Sequence, residues 1–345
     1  MFQRLLFLPI MLFVLSGAYA QTQYEAFPIG FYNLENLFDT KDDEDVRDTE
    51  FTPEGDKAWT EERYLSKLDN MAKIIEQIGT DLSPEGVVAL GVSEVENKGV
   101  LEDLVKNEAI KGRNYEIVHY DSPDKRGIDV GLLYNPAYFT LKNSQARELL
   151  LINDGVRKFT RDVLVVSGEI AGEEVNILVN HWPSRSGGEK RSAPGRKAAA
   201  ELNVEIIDSL YELNPQAKII IMGDLNDDPT SASIKKTLDA KPTIEKVGRK
   251  GLYNPMYRKY QKGEGSNAYR DSWSLFDQII VSKALLDKSQ EGVFFHKAEI
   301  FKTPDMLQKS GQYKNYPLRT FGGSEYKNGY SDHFPVVGFF LKKAS

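Results

Sequence analysis

Polar side chains follow several apolar stretches of this sequence, at the points where strands would end. They are Asn33 after FPIGFY, Glu94 after VVALGVS, His181 after ILVN, Asp224 after IIIMG, and Asp332 and His333 just before FPV. Strand ends on one edge of a sheet lie close together, which is how open α/β folds assemble active sites. Carboxylate and amide oxygens bind hard divalent cations, and histidine gains or loses a proton near neutral pH. The pattern therefore predicts one polar site equipped for cation binding and proton transfer.

Strand-like and helix-like segments alternate along the chain and must position these side chains. Apolar residues recur at helical spacing over residues 60–78, with Thr60 as a possible cap, and a second helix is predicted over residues 193–213. Strands are predicted over residues 27–33, 87–95, 129–134, 163–170, 175–180, 217–222, 276–281, 293–301 and 334–341. A short helix is predicted over residues 231–238, and residues 241–271 are predicted to be mainly loop. Several strands are joined by turns, which predicts antiparallel pairing within mixed α/β layers.

Six motifs occur in a characteristic order. They are FYNLENLF (31–38), GVSEVEN (91–97), NHWPSR (180–185), MGDLND (222–227), FDQIIVS (276–282) and YSDHFPV (330–336). In this combination the chain resembles the endonuclease/exonuclease/phosphatase superfamily, which includes DNase I, abasic-site endonucleases, neutral sphingomyelinases and inositol polyphosphate phosphatases. The resemblance implies an α/β fold of the DNase I-like kind, a four-layer sandwich of two packed mixed β-sheets flanked by helices. It also implies hydrolysis of a phosphate ester with Mg²⁺, or with Mn²⁺ or Ca²⁺ in its place.

The resemblance assigns the metal site and one of the histidines. Asn33, Glu94 and Asp332 match the family's residues at the metal, with Glu94 as the direct carboxylate ligand. His333 matches the histidine that contacts the scissile phosphate. Asp277 matches the acidic residue that supports this second histidine. A cation held by such oxygen ligands would offset the negative charge that builds up during phosphodiester hydrolysis.

The other histidine is assigned to proton transfer. His181 matches a histidine of the DNase I and sphingomyelinase branches and is predicted to be the general acid or base. The resemblance implies Asp129 as its carboxylate partner, and Arg126 just before it is a candidate for substrate binding. Asp224 and Asn226 match the pair that orients the nucleophile and the transition state.

Other polar residues receive weaker interpretations. Glu96 follows Glu94 by two residues, so in a regular strand both would lie on one face. A structural salt bridge is favoured for Glu96 over a role as second ligand. Residues 41–50 form an acidic loop that is predicted to be solvated. A calcium site is the alternative for that loop, although the spacing is not that of an EF-hand. His119 and His296 are predicted to be surface or packing residues.

The substrate is interpreted from the loops. Residues 253–270 mix tyrosines with basic residues, of which Arg258, Lys259 and Arg270 are the candidates for phosphate contact. A nuclease acting on DNA, or RNA, is favoured on this basis, with nucleic acid as substrate and no stable protein partner. The alternatives are a sphingomyelinase-like or phosphoinositide-type lipid phosphodiesterase or phosphatase, and a non-catalytic binding module on the same fold. The lipid alternative requires an exposed apolar hairpin, which the sequence does not reveal clearly.

Composition limits the class of protein. The chain has 345 residues, 44 Lys and Arg against 51 Asp and Glu, a formal charge of −7, and 41% hydrophobic residues. This composition is typical of a globular protein. The acidic balance argues against coating of nucleic acid through bulk positive charge. It remains compatible with an enzyme that approaches phosphate through a bound cation and a few arginines.

The first 20 residues have the layout of a secretory signal. Arg4 precedes an apolar run over residues 5–15, and AYA ends at Ala20. The run is about half of the ~20 residues that a membrane-spanning helix needs. We therefore expect cleavage near Ala20, a secreted or periplasmic location, and a single catalytic domain over residues 21–345. The chain has no Cys, so disulfides cannot contribute to its stability.

Overall fold

The computed structural model describes residues 23–153, 155–289 and 291–344. The predicted secretory signal lies outside the described residues. Among the helices described, none is both long enough and apolar enough to cross a membrane.

The described part of the chain contains nineteen strands and four α-helices. The strands are β1 (Tyr24–Leu37), β2 (Ala89–Val95), β3 (Glu116–His119), β4 (Asp129–Tyr134), β5 (Phe139–Arg147), β6 (Leu151–Asn153), β7 (Val156–Lys158), β8 (Val163–Ile170), β9 (Glu173–His181), β10 (Ile219–Asp224), β11 (Ala240–Lys241), β12 (Leu252–Tyr253), β13 (Asn267–Tyr269), β14 (Ser272–Ser274), β15 (Asp277–Ser282), β16 (Phe294–Ile300), β17 (Phe321–Gly322), β18 (Glu325–Tyr326) and β19 (Val336–Lys343). The helices are α1 (Glu61–Ile75), α2 (Lys98–Val105), α3 (Glu189–Leu213) and α4 (Met256–Gln261). Short 3₁₀ or π turns cover Thr49–Phe51, Lys111–Arg113, Ser233–Thr237, Ile244–Lys246, Lys283–Leu286 and Pro304–Met306.

Two mixed sheets hold the longer strands. The first has six strands in the order β16-β19-β1-β2-β4-β3, and the second has seven in the order β11-β12-β15-β10-β9-β8-β5. The central pairs β1–β2 and β9–β10 are parallel, and their outer neighbours β19, β4, β15 and β8 pair antiparallel with them. The carboxyl ends of four central strands therefore emerge on one edge of the two sheets.

Three apolar cores separate four layers. One core lies between the sheets and includes Phe31 of β1 and Val179 of β9. A second core packs α1 and α2 against the outer face of the first sheet, and a third packs α3 against the second sheet. The predicted four-layer α/β sandwich is thereby confirmed.

The sequence prediction omitted α2, β3 and the strands β5 to β7, and it also differs from the structure between residues 241 and 271. This segment contains β12, α4 and β13 rather than loop alone. Its order depends on the buried Asn254, whose side chain donates to Gln278 Oε1 at 2.7 Å and accepts from Met256 N at 3.0 Å. The contact between Asn254 and Gln278 joins residues 24 positions apart, and such a contact produces no periodic pattern in the local sequence. The Gly, Lys and Tyr residues of this segment therefore predict only a loop.

Candidate active site

The predicted site residues converge where the central strands end. In the second sheet Asp224 of β10 is aligned with His181 of β9 on one side and Asp277 of β15 on the other. The Nδ2 atom of Asn33, from the first sheet, donates to Asp224 Oδ2 at 3.2 Å. The two sheets are thus joined directly by a buried hydrogen bond at this edge.

Glu94 reaches the site because β2 is interrupted there. The pairing of β2 with β4 is displaced between Ser93 and Val95, and Glu94 has a φ of 58°. A bulge with a left-handed residue re-aims the side chain it carries. Glu94 Oε2 accepts from Asn36 N at 3.1 Å, and its Oε1 lies 3.8 Å from His181 Nε2. The regular alternation of side chains between the two faces of β2 is broken at Glu94. The side chains of Glu94 and Glu96 therefore have different surroundings.

Glu96 does not form the salt bridge that was predicted for it. Its Oε2 accepts from Asp39 N at 2.6 Å, and no ion pair involves Glu96 among the residues described. One of its carboxylate oxygens lies within 4.8 Å of carboxylate oxygens of Asp43 and Asp48 in the acidic loop. The expectation of a salt bridge is therefore wrong.

Oxygen donors for a hard cation are present at the end of β1 and β2. The side chain of Glu94 is 17% exposed, so its carboxylate lies at the mouth of the site. Asn33 is fully buried beside it and offers its amide oxygen, which already accepts from Glu35 N at 2.9 Å. Carboxylate and amide oxygens suit Mg²⁺ or a similar ion, which keeps several of its waters. The residues thus fit the cation that the resemblance implies.

The contact predicted between His333 and Asp277 is formed. His333 Nδ1 lies 2.6 Å from Asp277 Oδ2, which also accepts from Ser266 Oγ at 2.5 Å. Burial alone would lower the pKa of His333, but the carboxylates of Asp277, Asp332 and Asp224 outweigh it and raise that pKa well above the usual value. His333 is therefore a cation at neutral pH, and its Nε2 faces Asp224 at 3.8 Å.

His181 has different surroundings from those predicted. Its Nδ1 is buried and has no hydrogen-bond partner in the described structure, and its Nε2 lies 3.7 Å from Asp224 Oδ2. The Asp129 carboxylate instead accepts from Ser122 N at 2.7 Å and lies 3.1 Å from His119 Nε2. The predicted pairing of Asp129 with His181 is therefore not formed.

A buried arginine that the sequence analysis missed stands near His181. Arg161 donates to Trp182 O at 2.6 Å and to Asp124 Oδ2 at 2.9 Å. Arg126 donates from its Nε to Asp124 Oδ1 at 3.2 Å and keeps 48% of its side chain exposed. Burial lowers the pKa of His181 well below its usual value, and Arg161 and Arg126 add to this effect. His181 is therefore neutral at pH 7.

Asp224 and Asn226 lie at the centre of the site. Asn226 N donates to Asp224 Oδ1 at 2.9 Å, and Asn226 Nδ2 donates to Trp182 O at 2.9 Å. Burial raises the pKa of Asp224 to about 7, with Asp277 and Glu94 adding to the rise and His333 opposing it. A carboxylate with a pKa near neutrality is suited to accept a proton at physiological pH.

A second ionic group borders the site and was also missed. Arg319 donates to Glu35 Oε1 at 3.1 Å and to Asp332 Oδ2 at 2.9 Å. Lys67 is 1% exposed and lies 3.9 Å from Glu35 Oε2. Burial raises the pKa of Glu35 to about 7, and Asp332 adds to the rise while Lys67 and Arg319 oppose it. Asp332, predicted at the metal, is thus held by Arg319 beside His333.

The residues predicted to contact nucleic acid fall into two groups in the structure. Arg270 and Tyr269 are exposed at the tip of the β13–β14 hairpin, with the guanidinium 5.1 Å from the ring centre. The base of that hairpin contacts the site, because Asn267 Nδ2 donates to Asp332 O at 2.9 Å. Arg258 and Lys259 instead lie on α4, where Lys259 pairs with Glu264 at 3.7 Å. The first group is therefore attached directly to the edge that carries the candidate site.

The fold and the site define a phosphoric ester hydrolase. The sequence model of the Endonuclease/Exonuclease/phosphatase family matches residues 28–343, and the chain belongs to this family. Family members generally depend on a divalent metal, in keeping with the acidic clusters described here. No curated protein sequence matches the chain significantly.

Solved structures share the fold at low sequence identity. An endonuclease/exonuclease/phosphatase family protein from Bacteroides thetaiotaomicron is 17% identical, over 94% of this chain and 100% of that one, with a TM-score of 0.55. D. rerio TDP2 complexed with a single-strand DNA product is 13% identical, over 91% and 98% of the chains, with a TM-score of 0.54. A mannosyl-6-phosphatase from B. thetaiotaomicron is 16% identical, over 91% and 99%, with a TM-score of 0.52.

The contacts of Asp129 predict unequal effects of two substitutions. His181→Ala removes an imidazole whose Nε2 faces Glu94 and Asp224, and we expect turnover to fall by at least ~10²-fold, as when one transition-state donor is lost. Asp129→Asn alters a carboxylate held by His119, so turnover should stay within about threefold of wild type. Steady-state kinetics of both variants provides the measurement, with circular dichroism to verify folding. A loss in Asp129→Asn as large as that in His181→Ala would contradict the observed pairing.

The contact between His333 and Asp277 predicts a pH effect. Asp277→Asn removes the main charge that raises the pKa of His333, so its imidazole should titrate at lower pH in NMR spectra of metal-free protein. A raised folded-state pKa contributes stability that is fully present below the unfolded value of about 6.5 and is lost as pH rises through the folded value. Asp277→Asn should therefore cost more stability near pH 5 than near pH 10. Asp121→Asn, an exposed charge beside His119, is the control that should leave the His333 titration unchanged.

Proposed function

We propose that this chain is a divalent-metal-dependent phosphodiesterase that hydrolyses nucleic acid, with single-stranded DNA as the substrate to test first. The observation that carries the hydrolytic part is a single edge where the His333 cation, neutral His181, Asp224 and the oxygen donors Asn33 and Glu94 meet. Export of the mature chain, expected from residues 1–20, is part of the proposal.

The chemistry follows from the charge state of each group. A divalent cation held by Glu94 and Asn33 would supply positive charge to the phosphate. The His333 cation holds a phosphate oxygen through Nε2, while Asp277 fixes the ring through Nδ1. Asp224 orients the attacking water and accepts its proton as the water oxygen bonds to phosphorus. The P–O bond to the leaving group then breaks, the leaving oxygen takes a proton from solvent water, and Asp224 returns the proton it accepted to solvent.

The two histidines therefore have distinct roles. General acid–base catalysis is most effective when the pKa lies near the working pH. The pKa of His181 is lowered well below 6.5, whereas that of Asp224 is raised to about 7. The proposal therefore gives proton abstraction to Asp224. His181 remains neutral and donates a hydrogen bond from Nε2 to an oxygen whose charge grows in the transition state.

The β13–β14 hairpin favours nucleic acid as the substrate. Bases stack on exposed aromatic rings, and arginine pairs with phosphate even where the protein as a whole is acidic. Tyr269 provides an exposed aromatic ring and Arg270 a guanidinium beside the proposed catalytic edge. The fold relative from D. rerio was crystallised with a single-strand DNA product, which is consistent with this choice.

A second candidate function is hydrolysis of a lipid phosphodiester. The hairpin β6–β7 and the residue before it expose Leu150, Ile152 and Val156 at 62%, 74% and 69%. Leu150 and Ile152 line a cleft together with Pro183 and Ser184, which follow His181 closely in sequence. The sequence analysis found no clear apolar hairpin, and this one supplies the feature that the lipid alternative requires.

Metal dependence is the first test of the proposal. Because Glu94 is the main charged ligand of a partly hydrated site, EDTA should abolish activity and Mg²⁺ or Mn²⁺ should restore it. Glu94→Gln should need at least ~10-fold more metal, the loss seen when even a residue hydrogen-bonded to a ligand is removed. Glu102→Gln, which alters a half-buried carboxylate on α2, is the matched control. Activity that persists in excess chelator excludes the metal assignment.

The hairpins separate the two substrates. Tyr269→Ala with Arg270→Ala should raise KM for single-stranded DNA by about 10-fold, because stacking contributes ~1–3 kcal/mol per base. The double variant should also reduce the slope of log affinity for DNA against log salt concentration by the amount expected for about one phosphate contact. Turnover of a small phosphodiester should be unchanged. The control pair is Arg258→Ala with Lys259→Ala, which should change KM less because both lie on α4.

The lipid alternative predicts the reverse pattern. Ile152→Ser with Val156→Ser would then reduce hydrolysis of sphingomyelin in vesicles, and the changes at Tyr269 and Arg270 would have no effect. Hydrolysis of sphingomyelin vesicles much faster than DNA, lost in the β6–β7 variant, would replace nucleic acid by lipid as the substrate class.

A further inference from the structure

Three carboxylates gather outside the active site, between the acidic loop that follows β1 and the end of β2. Asp43, Asp48 and Glu96 each have a carboxylate oxygen within 4.8 Å of those of the other two. The group is separate from the catalytic edge, because Glu96 is turned toward Asp39 N whereas Glu94 is turned toward Asn36 N and His181.

One carboxylate of this group is buried without full compensation. Asp48 is 1% exposed; its Oδ2 accepts from Asp43 N at 3.0 Å, but its Oδ1 has no hydrogen-bond partner in the described part of the chain. Glu96 is 5% exposed. No lysine, arginine or histidine among the described residues lies within ion-pair distance of any of the three. Buried carboxylates are normally paired with a cation or bound to a metal.

We propose that Asp43, Asp48 and Glu96 form a calcium site that is distinct from the catalytic metal. All the donors are oxygens, and neither His nor Cys belongs to the group, which favours a hard cation over a transition metal. Ca²⁺ accepts six to eight oxygens in irregular geometry, so loop carbonyls and water can complete the shell. Mg²⁺ requires a near-octahedral arrangement and suits an irregular loop less well.

The position of the loop gives the site a structural consequence. Arg47 N donates to Lys125 O at 2.8 Å, and Val46 packs against Gly127. Residues 124–127 also carry Asp124, which holds Arg161 beside His181. Bound calcium would therefore order the acidic loop and, through it, the wall of the active site that contains Arg126.

The test is a calcium titration of the mature protein in the Glu94→Gln background, which weakens the catalytic site. Calorimetry should show saturable Ca²⁺ binding, and the melting temperature should rise with Ca²⁺. Adding Asp48→Asn, which keeps an oxygen for Asp43 N, should weaken binding by at least ~10-fold. Adding Asp45→Asn, an exposed charge change in the same loop, should leave the affinity within about threefold.

Asp43→Asn serves as the independent variant. Asp43 is exposed, so this change should leave the fold intact even if Asp48→Asn does not, and it should also weaken calcium binding. The absence of saturable binding up to about 5 mM Ca²⁺, above the weakest extracellular calcium sites, would overturn the proposal. Equal affinities in the Asp43→Asn and Asp45→Asn proteins would overturn it as well. Either result leaves the proposed hydrolase function untouched, because EDTA sensitivity and the Glu94→Gln metal requirement test that separately.

Discussion

The hydrogen bond from Asn33 to Asp224 joins the two sheets at the edge on which the whole site is built. Neither residue can supply the site alone, because Asn33 lies in β1 of the first sheet and Asp224 ends β10 of the second. The parallel pairs β1–β2 and β9–β10 point their carboxyl ends at this contact. The apolar core between the sheets thus fixes the distance between Asn33 in the first sheet and His181 and Asp224 in the second.

The same edge concentrates negative charge in a buried place. Glu35, Asp224 and Asp277 are almost fully buried, and they are compensated by His333, Arg319 and Lys67. The compensation is incomplete, since the pKa values of Glu35 and Asp224 both rise to about 7. Burial of uncompensated carboxylates costs stability, and a bound cation relieves that cost. Ligand binding and folding stability are therefore linked in this enzyme.

Most of the longer strands and both long helices could be predicted from local patterns, whereas the four-layer arrangement followed from the family resemblance. Apolar strands that end in a polar residue can be read directly, and the link between Asp277 and His333 followed from the family resemblance. Arg161, Arg319 and Lys67 could not be found in this way, since their partners are distant in the chain. Arg319 and Glu35, for example, are 284 residues apart. No pattern in one sequence marks such a contact.

The incorrect partner of His181 has a specific physical origin. His119 of β3 is aligned with Gly131 of β4, so Asp129 is its diagonal neighbour two residues along the strand. Diagonal neighbours on one face of an antiparallel pair are within reach of each other. The pairing of β3 with β4 therefore places the Asp129 carboxylate beside His119 rather than beside His181. Burial, with the nearby Arg161 adding to it, lowers the pKa of His181 and keeps this histidine neutral. The protein thereby obtains one neutral and one charged histidine, whose Nε2 atoms lie 3.7 and 3.8 Å from Asp224 Oδ2.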